Sequence, residues 1–534
     1  MSMILSSLIL VPLIGAIIAL FMGGSREAYS KYVAIGFSAI TLIIATLLML
    51  GIFGDFADLG ESFVWIDTSA FIMNYALSVD GLSILMVFLT ALLCLLVNVF
   101  SLDEHRENNN YFYALIMAME VGLMGVYMAA DYFLFYIMWE VTLIPMYFMI
   151  SWYGGPRRHY SAIKFFIYTH VASLVMLIGI FAMGYESVAA GGVVDFSFEA
   201  IKNGIGSVAV ETQSLIFALL FFGFMVKMPS FPFHTWLPDA HTEAPTEGSV
   251  LLAGVMLKMG SYGIIRICIE ALPDAAAYWQ WVIIVIALVS IIYGAYGCIA
   301  QTDLKKMVAF SSISHMGMVM LGIGCLSDAG ITFAVFQMFA HGLITAMLFM
   351  VCGMTGHKVG TREIPLLGGL AGKMPIYATF MMIAFMASLG LPGLVGFWGE
   401  FPVIMAFYEF ILENDVIWML LFCMLSLMLT AGYYLWAMQR TLFGPETKKI
   451  DLSKAQQTVE AVSNISEEMS GYLTSTGFAS IQRTRSDVKS FGFVPAASED
   501  ETATSFDLAD LKDLAAQFAD AYPKAAQKVR DAVD

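Results

Sequence analysis

The chain has 534 residues, 59% of them hydrophobic and only 13% charged, with a mean hydropathy of +0.78 and a net charge of −17. Soluble globular domains run at about 45–50% apolar and about 25% charged residues, which excludes a soluble enzyme. The acidic balance also argues against nucleic acid as a partner.

Apolar stretches of about 20 residues, the length that crosses a bilayer as a helix, recur along the chain. They predict about thirteen spans near 3–22, 32–53, 79–100, 111–129, 131–151, 161–184, 213–228, 248–269, 278–300, 307–326, 330–354, 375–411 (broken) and 416–442. The expected fold is an all-α integral membrane protein. In the first segment the positive charges Arg26 and Lys31 follow the apolar run, the order of an uncleaved span and not of a secretory signal.

Loop charges alternate. Arg26 and Lys31, Arg106, Arg157 and Arg158, Lys305 and Lys306, Lys358, Arg362 and Lys373, and Arg440, Lys448 and Lys449 fall on one set of loops. Asp55, Asp58, Glu61 and Asp67, Glu186, Asp195 and Glu199, Asp274, Asp328, Glu413 and Asp415 fall on the other. The positive-inside rule makes the basic set cytoplasmic, so the N-terminus is expected outside and, with an odd number of spans, the C-terminal tail inside. The expected location is a prokaryotic inner membrane, crossed many times.

Two spans are interrupted. One breaks at KMPSFPFHTW, near 227–236, and a later one at GLPGLVGFWGE, near 390–400. Broken helices at membrane depth persist where they are buried in protein or line a cavity, and paired breaks in two halves mark transporters built of inverted repeats. Membrane-depth ionisable residues gather around them: Glu140 in FLFYIMWEVTLIP, Lys227 at the first break, Lys258 in the next span, His315 in SSISHMGMVM, His341 in FQMFAHGLITAMLF, and Glu400 at the second break. Each has a structural alternative, a satisfied core histidine or a Glu140–Lys227 ion pair. Each buried charge costs about 2.5–3.5 kcal/mol even on the lenient insertion scale. A carboxylate that moves toward or away from a desolvated lysine switches it between holding and releasing a proton, and histidines bridge gaps. The series points to a proton path. A sodium path would favour clustered oxygen ligands.

The six cysteines, Cys94, Cys268, Cys298, Cys325, Cys352 and Cys423, lie in apolar segments with no metal-ligand spacing, so no redox centre or metal site is expected in this chain.

The runs KMPSFPFHTWLPDAHTEAPTEGSVLLAGVMLKMGSYG (227–263), IAQTDLKKMVAFSSISHMG (299–317), HGLITAMLFM (341–350) and GLPGLVGFWGEF (390–401) resemble the chain-4, or chain M, antiporter-like subunits of respiratory complex I, NADH-quinone oxidoreductase. The resemblance covers about residues 1–443. It implies N-terminal helices over 1–110 and two inverted five-helix repeats over 111–270 and 271–443. Position by position it implies a coupled pair Glu140 and Lys227, a central relay lysine Lys258 with His234, His315 and His341 assisting, and a terminal group Glu400, where sister subunits commonly carry lysine. It further implies proton pumping driven by electron transfer elsewhere. Iron–sulfur clusters, flavin and quinone are then expected in partner subunits: other antiporter-like and quinone-site membrane subunits, with a peripheral redox arm reached indirectly. Two alternatives remain, a subunit of a multisubunit cation/proton antiporter without a redox arm and a non-pumping membrane scaffold.

The family usually carries a fourteenth span after the equivalent of LWAMQRTLFG. Here residues 444–534 are a polar, acid-rich extension, with an amphipathic helix expected near 505–522 from Leu508, Leu511, Leu514 and Phe518. It is expected to dock on a cytoplasmic face of the complex.

Overall fold

The computed structural model describes residues 3–104, 106, 108–188 and 192–445. The helix expected near 505–522 lies outside them.

From the N-terminus, α1 (Ile4–Leu20), α2 (Ser30–Met49) and α3 (Gly81–Phe100) precede α4 (Asn109–Met128), α5 (Tyr132–Tyr153) and α6 (Arg158–Glu186). Strands β1 (Glu61–Asp67) and β2 (Phe71–Leu77) fill the α2–α3 loop, and β3 (Val194–Asp195) and α7 (Phe198–Ile205) fill the loop after α6. Then come α8 (Val210–Lys227), α9 (Trp236–Glu243), α10 (Thr246–Leu251), α11 (Leu257–Gly263), α12 (Pro273–Ile299), α13 (Leu304–Gly324) and α14 (Asp328–Val359). The short α15 (Leu370–Lys373) leads to α16 (Pro375–Ser388), α17 (Val395–Glu413) and α18 (Leu420–Thr441).

Among the described residues, twelve helical segments are long and apolar enough to cross a membrane. The shorter apolar α1 brings the crossings to thirteen, and α16 joins α17 in one interrupted crossing. Three pairings show this. Tyr377 of α16 bonds Thr355 near the end of α14, Gly399 of α17 packs on Gln337, and Gly322 brings Val403 beside Ala334. The α16–α17 pair therefore runs antiparallel to α14 along its length.

Hydropathy selects the spans, and side chains at the interfaces fix their ends. Asp80 caps α3 by accepting from Leu82 N (3.1 Å) and Ser83 N (2.9 Å), while Ser83 Oγ accepts from Asp80 N (2.8 Å). Asp131 caps α5 through Phe133 N (2.8 Å) and Leu134 N (3.1 Å), and also accepts from Asn74 N of β2 (2.9 Å).

The acidic-loop side adds a small sheet that helical hydropathy does not foresee. β1 pairs antiparallel with β2 (Glu61↔Leu77, Asp67↔Ile72), and β2 pairs parallel with β3 (Phe71↔Val194). Glu61 pins this sheet to the bundle, its buried carboxylate accepting from Leu5 N (2.9 Å) and Ser6 N (3.2 Å) at the open end of α1.

At the first break, between Lys227 and Trp236, the released backbone finds new partners. Ser230 N donates to Met225 O (3.1 Å), Phe231 N to Ser290 Oγ (3.0 Å), and the Trp236 indole to Val226 O (3.0 Å). Close packing beside it needs Gly260: a Cβ there would lie 2.5 Å from Phe224 O. The second break is shorter than expected. Helix resumes at Val395, which places Glu400 inside α17 and not at the end of the interruption. Gly390 (φ +80°) and Gly393 (φ +97°) flank Pro392 in left-handed conformations that L side chains resist, and this confines the turn to a few residues.

Candidate functional site

Lys258 stands in α11 between two π-helical turns, Leu252–Met256 and Ile264–Ile269. A π turn departs from the regular α-helical ladder, and such turns concentrate at functional sites. Here the Ala253 carbonyl accepts from the buried Lys258 Nζ. The second contact of that amine is His341 Nδ1 of α14, at 2.8 Å.

From His341 the line continues by ring proximity. The His341 and His315 rings are 5.4 Å apart, and His315 Nδ1 lies 2.6 Å from Glu400 Oε1. Gln337 Nε2 donates to the same oxygen at 3.4 Å. On its other side His315 Nε2 meets Ser388 Oγ (3.1 Å), which meets the Tyr434 hydroxyl (2.6 Å). Lys258, His341, His315 and Glu400 are all buried. Four expected residues thus line up from α11 through α14 and α13 to α17, hydrogen-bonded at both ends and joined in the middle only by the proximity of the two rings, with His341 Nε2 unpartnered among the described residues, in apolar surroundings where each polar atom is costly without a partner.

The expected coupled pair, Glu140 and Lys227, lies around the first break without a hydrogen bond between them. Glu140 is held by α6: its Oε2 lies 2.9 Å from His170 Nδ1, and its Oε1 accepts from Ser173 Oγ. Lys227 Nζ has no hydrogen-bond partner among the described residues and sits 5.4 Å from the Phe165 ring centroid and 5.7 Å from that of Trp139. Glu140 and Lys227 are not hydrogen-bonded to each other, and α6 supplies the partners of the carboxylate.

His234 stays apart from this line. It stacks on Phe231 (5.9 Å) and meets the Tyr293 ring edge-on (4.6 Å), with no hydrogen bond to Lys227 or Lys258 among the described residues. His241, buried and stacked on Phe349 at 4.6 Å, has neither ring nitrogen bonded among the described residues.

Near the basic-loop side, a cavity of about 530 Å³ opens between Arg106, Glu243, Lys305 and Arg362. Lys305, read from sequence as a loop charge, is buried and donates to Ala244 O at 2.5 Å. Arg106 bridges Glu104 and the buried Glu247 (2.7 Å to Glu247). Burial, followed by the nearby Glu247 carboxylate, pushes the Glu104 carboxyl above its ordinary range despite Arg106 and His357.

Sequence reasoning passed over His170, His241 and the buried Glu120, whose carboxylate accepts from Ser38 Oγ at 3.0 Å while Asn98 Nδ2 donates to the same hydroxyl at 3.0 Å. His170 and Glu120 were legible as ionisable side chains inside apolar runs, whereas His241 lies in the polar stretch PDAHTE. Among the described residues no three His, Cys, Asp or Glu side chains converge on a metal position, and all six cysteines are buried free thiols.

A family model described as NADH:quinone oxidoreductase/Mrp antiporter, transmembrane, matches residues 129–430. The F420H2 dehydrogenase subunit M of Methanosarcina mazei is 41% identical over 461 residues, 83% of this chain and 89% of its own. The NADH-quinone oxidoreductase subunit M of Rhodobacter capsulatus is 37% identical, covering 81% and 84%. Among solved structures, a chain of respiratory complex I from Thermus thermophilus with bound NADH superposes with a TM-score of 0.74 at 27% identity, over 84% of this chain and 90% of its own.

Proposed function

The chain belongs to the NADH:quinone oxidoreductase/Mrp antiporter membrane-subunit family and is similar over most of its length to the M subunits of F420H2 dehydrogenase and NADH-quinone oxidoreductase, and from this membership we propose that its buried ionisable residues form the proton relay of a redox-driven pump. It is a proton-translocating membrane subunit of a complex I-type oxidoreductase, an enzyme whose electron transfer takes place in other subunits. Iron–sulfur clusters, flavin and quinone belong to those partners, with other antiporter-like and quinone-site subunits as neighbours in the membrane. The basic loops face the cytoplasm and the N-terminus faces outside.

One observation carries the relay: the line Lys258–His341–His315–Glu400. An amine, two imidazoles and a carboxylate arranged in this order exchange protons directly at the two hydrogen-bonded ends and through water across the gap between the rings. Glu140 acts as the switch carboxylate for Lys227, and protons pass from Lys227 to Lys258 by way of water beside the first break.

The test is the purified complex in sealed liposomes carrying Lys258→Met. Electron transfer with no accompanying proton uptake supports the relay. Full pumping by the variant removes it and favours the scaffold alternative. A redox arm that co-purifies with the chain separates this function from that of a stand-alone cation/proton antiporter.

A further inference from the structure

Glu140 faces two groups able to carry positive charge, and it is bonded to the one that sequence reasoning passed over. His170 and Ser173, one turn apart on α6, hold both carboxylate oxygens, while Lys227 approaches from α8 across the Phe165 and Trp139 rings without a hydrogen bond among the described residues. The ring of Phe166 stacks on His170 (5.2 Å, 16° between planes) and limits its rotation. The His170 side chain is 36% exposed and that of Glu140 22%. The imidazole thus reaches the outer surface of α5 and α6, whereas Lys227 is buried.

The other titratable groups around the pair are few. Tyr136, one turn before Glu140 on α5, interacts with Glu140 and Ser173. Farther along α6, Lys164 is paired with Asp239 of α9 at 2.7 Å. Tyr136 is neutral near neutral pH and the Lys164–Asp239 pair is internally balanced, so the charge felt by Glu140 is set by His170 and Lys227.

Building on the relay proposed above, we propose that His170 is a positioning residue for the Glu140 switch: the protonated imidazole holds Glu140 away from Lys227, and the neutral imidazole lets Glu140 turn to Lys227. His170 takes up one proton at Nε2, and its Nδ1–H donates to Glu140 Oε2. Lys227, left without a counter-charge in apolar surroundings, passes its own proton toward Lys258. When His170 returns the Nε2 proton to water, Glu140 moves to Lys227, whose amine takes up one proton from water beside the first break. Each cycle thus delivers one proton from water through Lys227 toward Lys258, while the His170 proton is taken up and given back and Glu140 stays ionised throughout. Imidazole is suited to this place because it can keep donating from Nδ1 to Glu140 while it exchanges a proton at Nε2.

The experiment compares the intact complex in liposomes with its His170→Gln and His170→Lys variants, reading protons pumped per electron against pH, with Lys227→Ala in parallel. Glutamine keeps a hydrogen-bond donor to Glu140 but cannot titrate, so the pumping profile loses one ionisation step in the histidine range. Lysine holds Glu140 permanently and abolishes pumping with the complex assembled. If both variants keep the wild-type profile while Lys227→Ala stops pumping, the relay stands and the His170 switch is overturned. If Lys227→Ala pumps normally, the relay itself falls. Should the His170 variants fail to assemble, cryo-electron microscopy of the wild-type complex at about pH 5 and about pH 8 decides: Glu140 turning from His170 to Lys227 supports the switch, and an unchanged Glu140 overturns it.

Discussion

His315 Nδ1 lies 2.6 Å from Glu400 Oε1, joining α13 to α17 across 85 positions of sequence. The contact sits five residues after helix resumes at Val395, so the short second break aims Glu400 at His315. Glu400→Gln keeps a hydrogen-bonding group of the same size and removes the exchangeable charge. The complex should assemble normally, and pumping should fall on the order of a hundredfold, the scale of losing one positioned acid–base group. Proton uptake by reconstituted liposomes checks this. Unchanged uptake would take Glu400 out of the relay.

Lys258→Met removes an amine held by Ala253 O and His341 Nδ1. Methionine fills the space without an unpaired charge, and deleting a buried ion commonly leaves stability little changed when the replacement packs well. The thermal midpoint should therefore stay near that of the wild type while pumping is lost. A parallel drop in assembly would mean that the lysine serves structure first.

Gly396→Ala tests the packing of the second break without touching an ionisable group. A Cβ at this position would lie 1.9 Å from Ala387 O, so α16 and α17 must move apart. Overpacking of this kind costs about 1–3 kcal/mol. A lower thermal midpoint and reduced pumping are expected together, because the displaced α17 carries Glu400. Normal pumping in a destabilised complex would separate break geometry from function.

Asp131, at the cap of α5 outside the spans, supplies a pH prediction. Burial pushes its carboxyl up to about 6 against the lowering effect of three backbone N–H donors. The folded state therefore holds the proton more tightly than the unfolded chain. The associated stability is complete below the unfolded value of about 3.9 and is lost as pH rises through about 6, on the order of 3 kcal/mol in all. Asp131→Asn keeps the capping oxygen and should flatten the thermal midpoint between about pH 4 and 6. An unchanged slope would assign that pH dependence to another group.

Thirteen crossings, the two interruptions and six of the membrane-depth ionisable residues follow from the sequence. Apolar length, Pro and Gly near the breaks, and the cost of a charge in hydrocarbon are local properties that any single segment reveals. Which of those residues meet is a different matter. Lys258 and His341 are 83 positions apart, and their contact depends on π turns in one helix and on packing against another. His234 is as conspicuous in sequence as His315, yet it faces Phe231 and Tyr293 and stays off the line. His170 lay in plain apolar sequence, and only the packing of α5 on α6 makes it the partner of Glu140 in place of Lys227. Hydropathy is a property of a segment and can be read one residue at a time. A proton path is a set of distances between helices, and these exist only after the helices have packed.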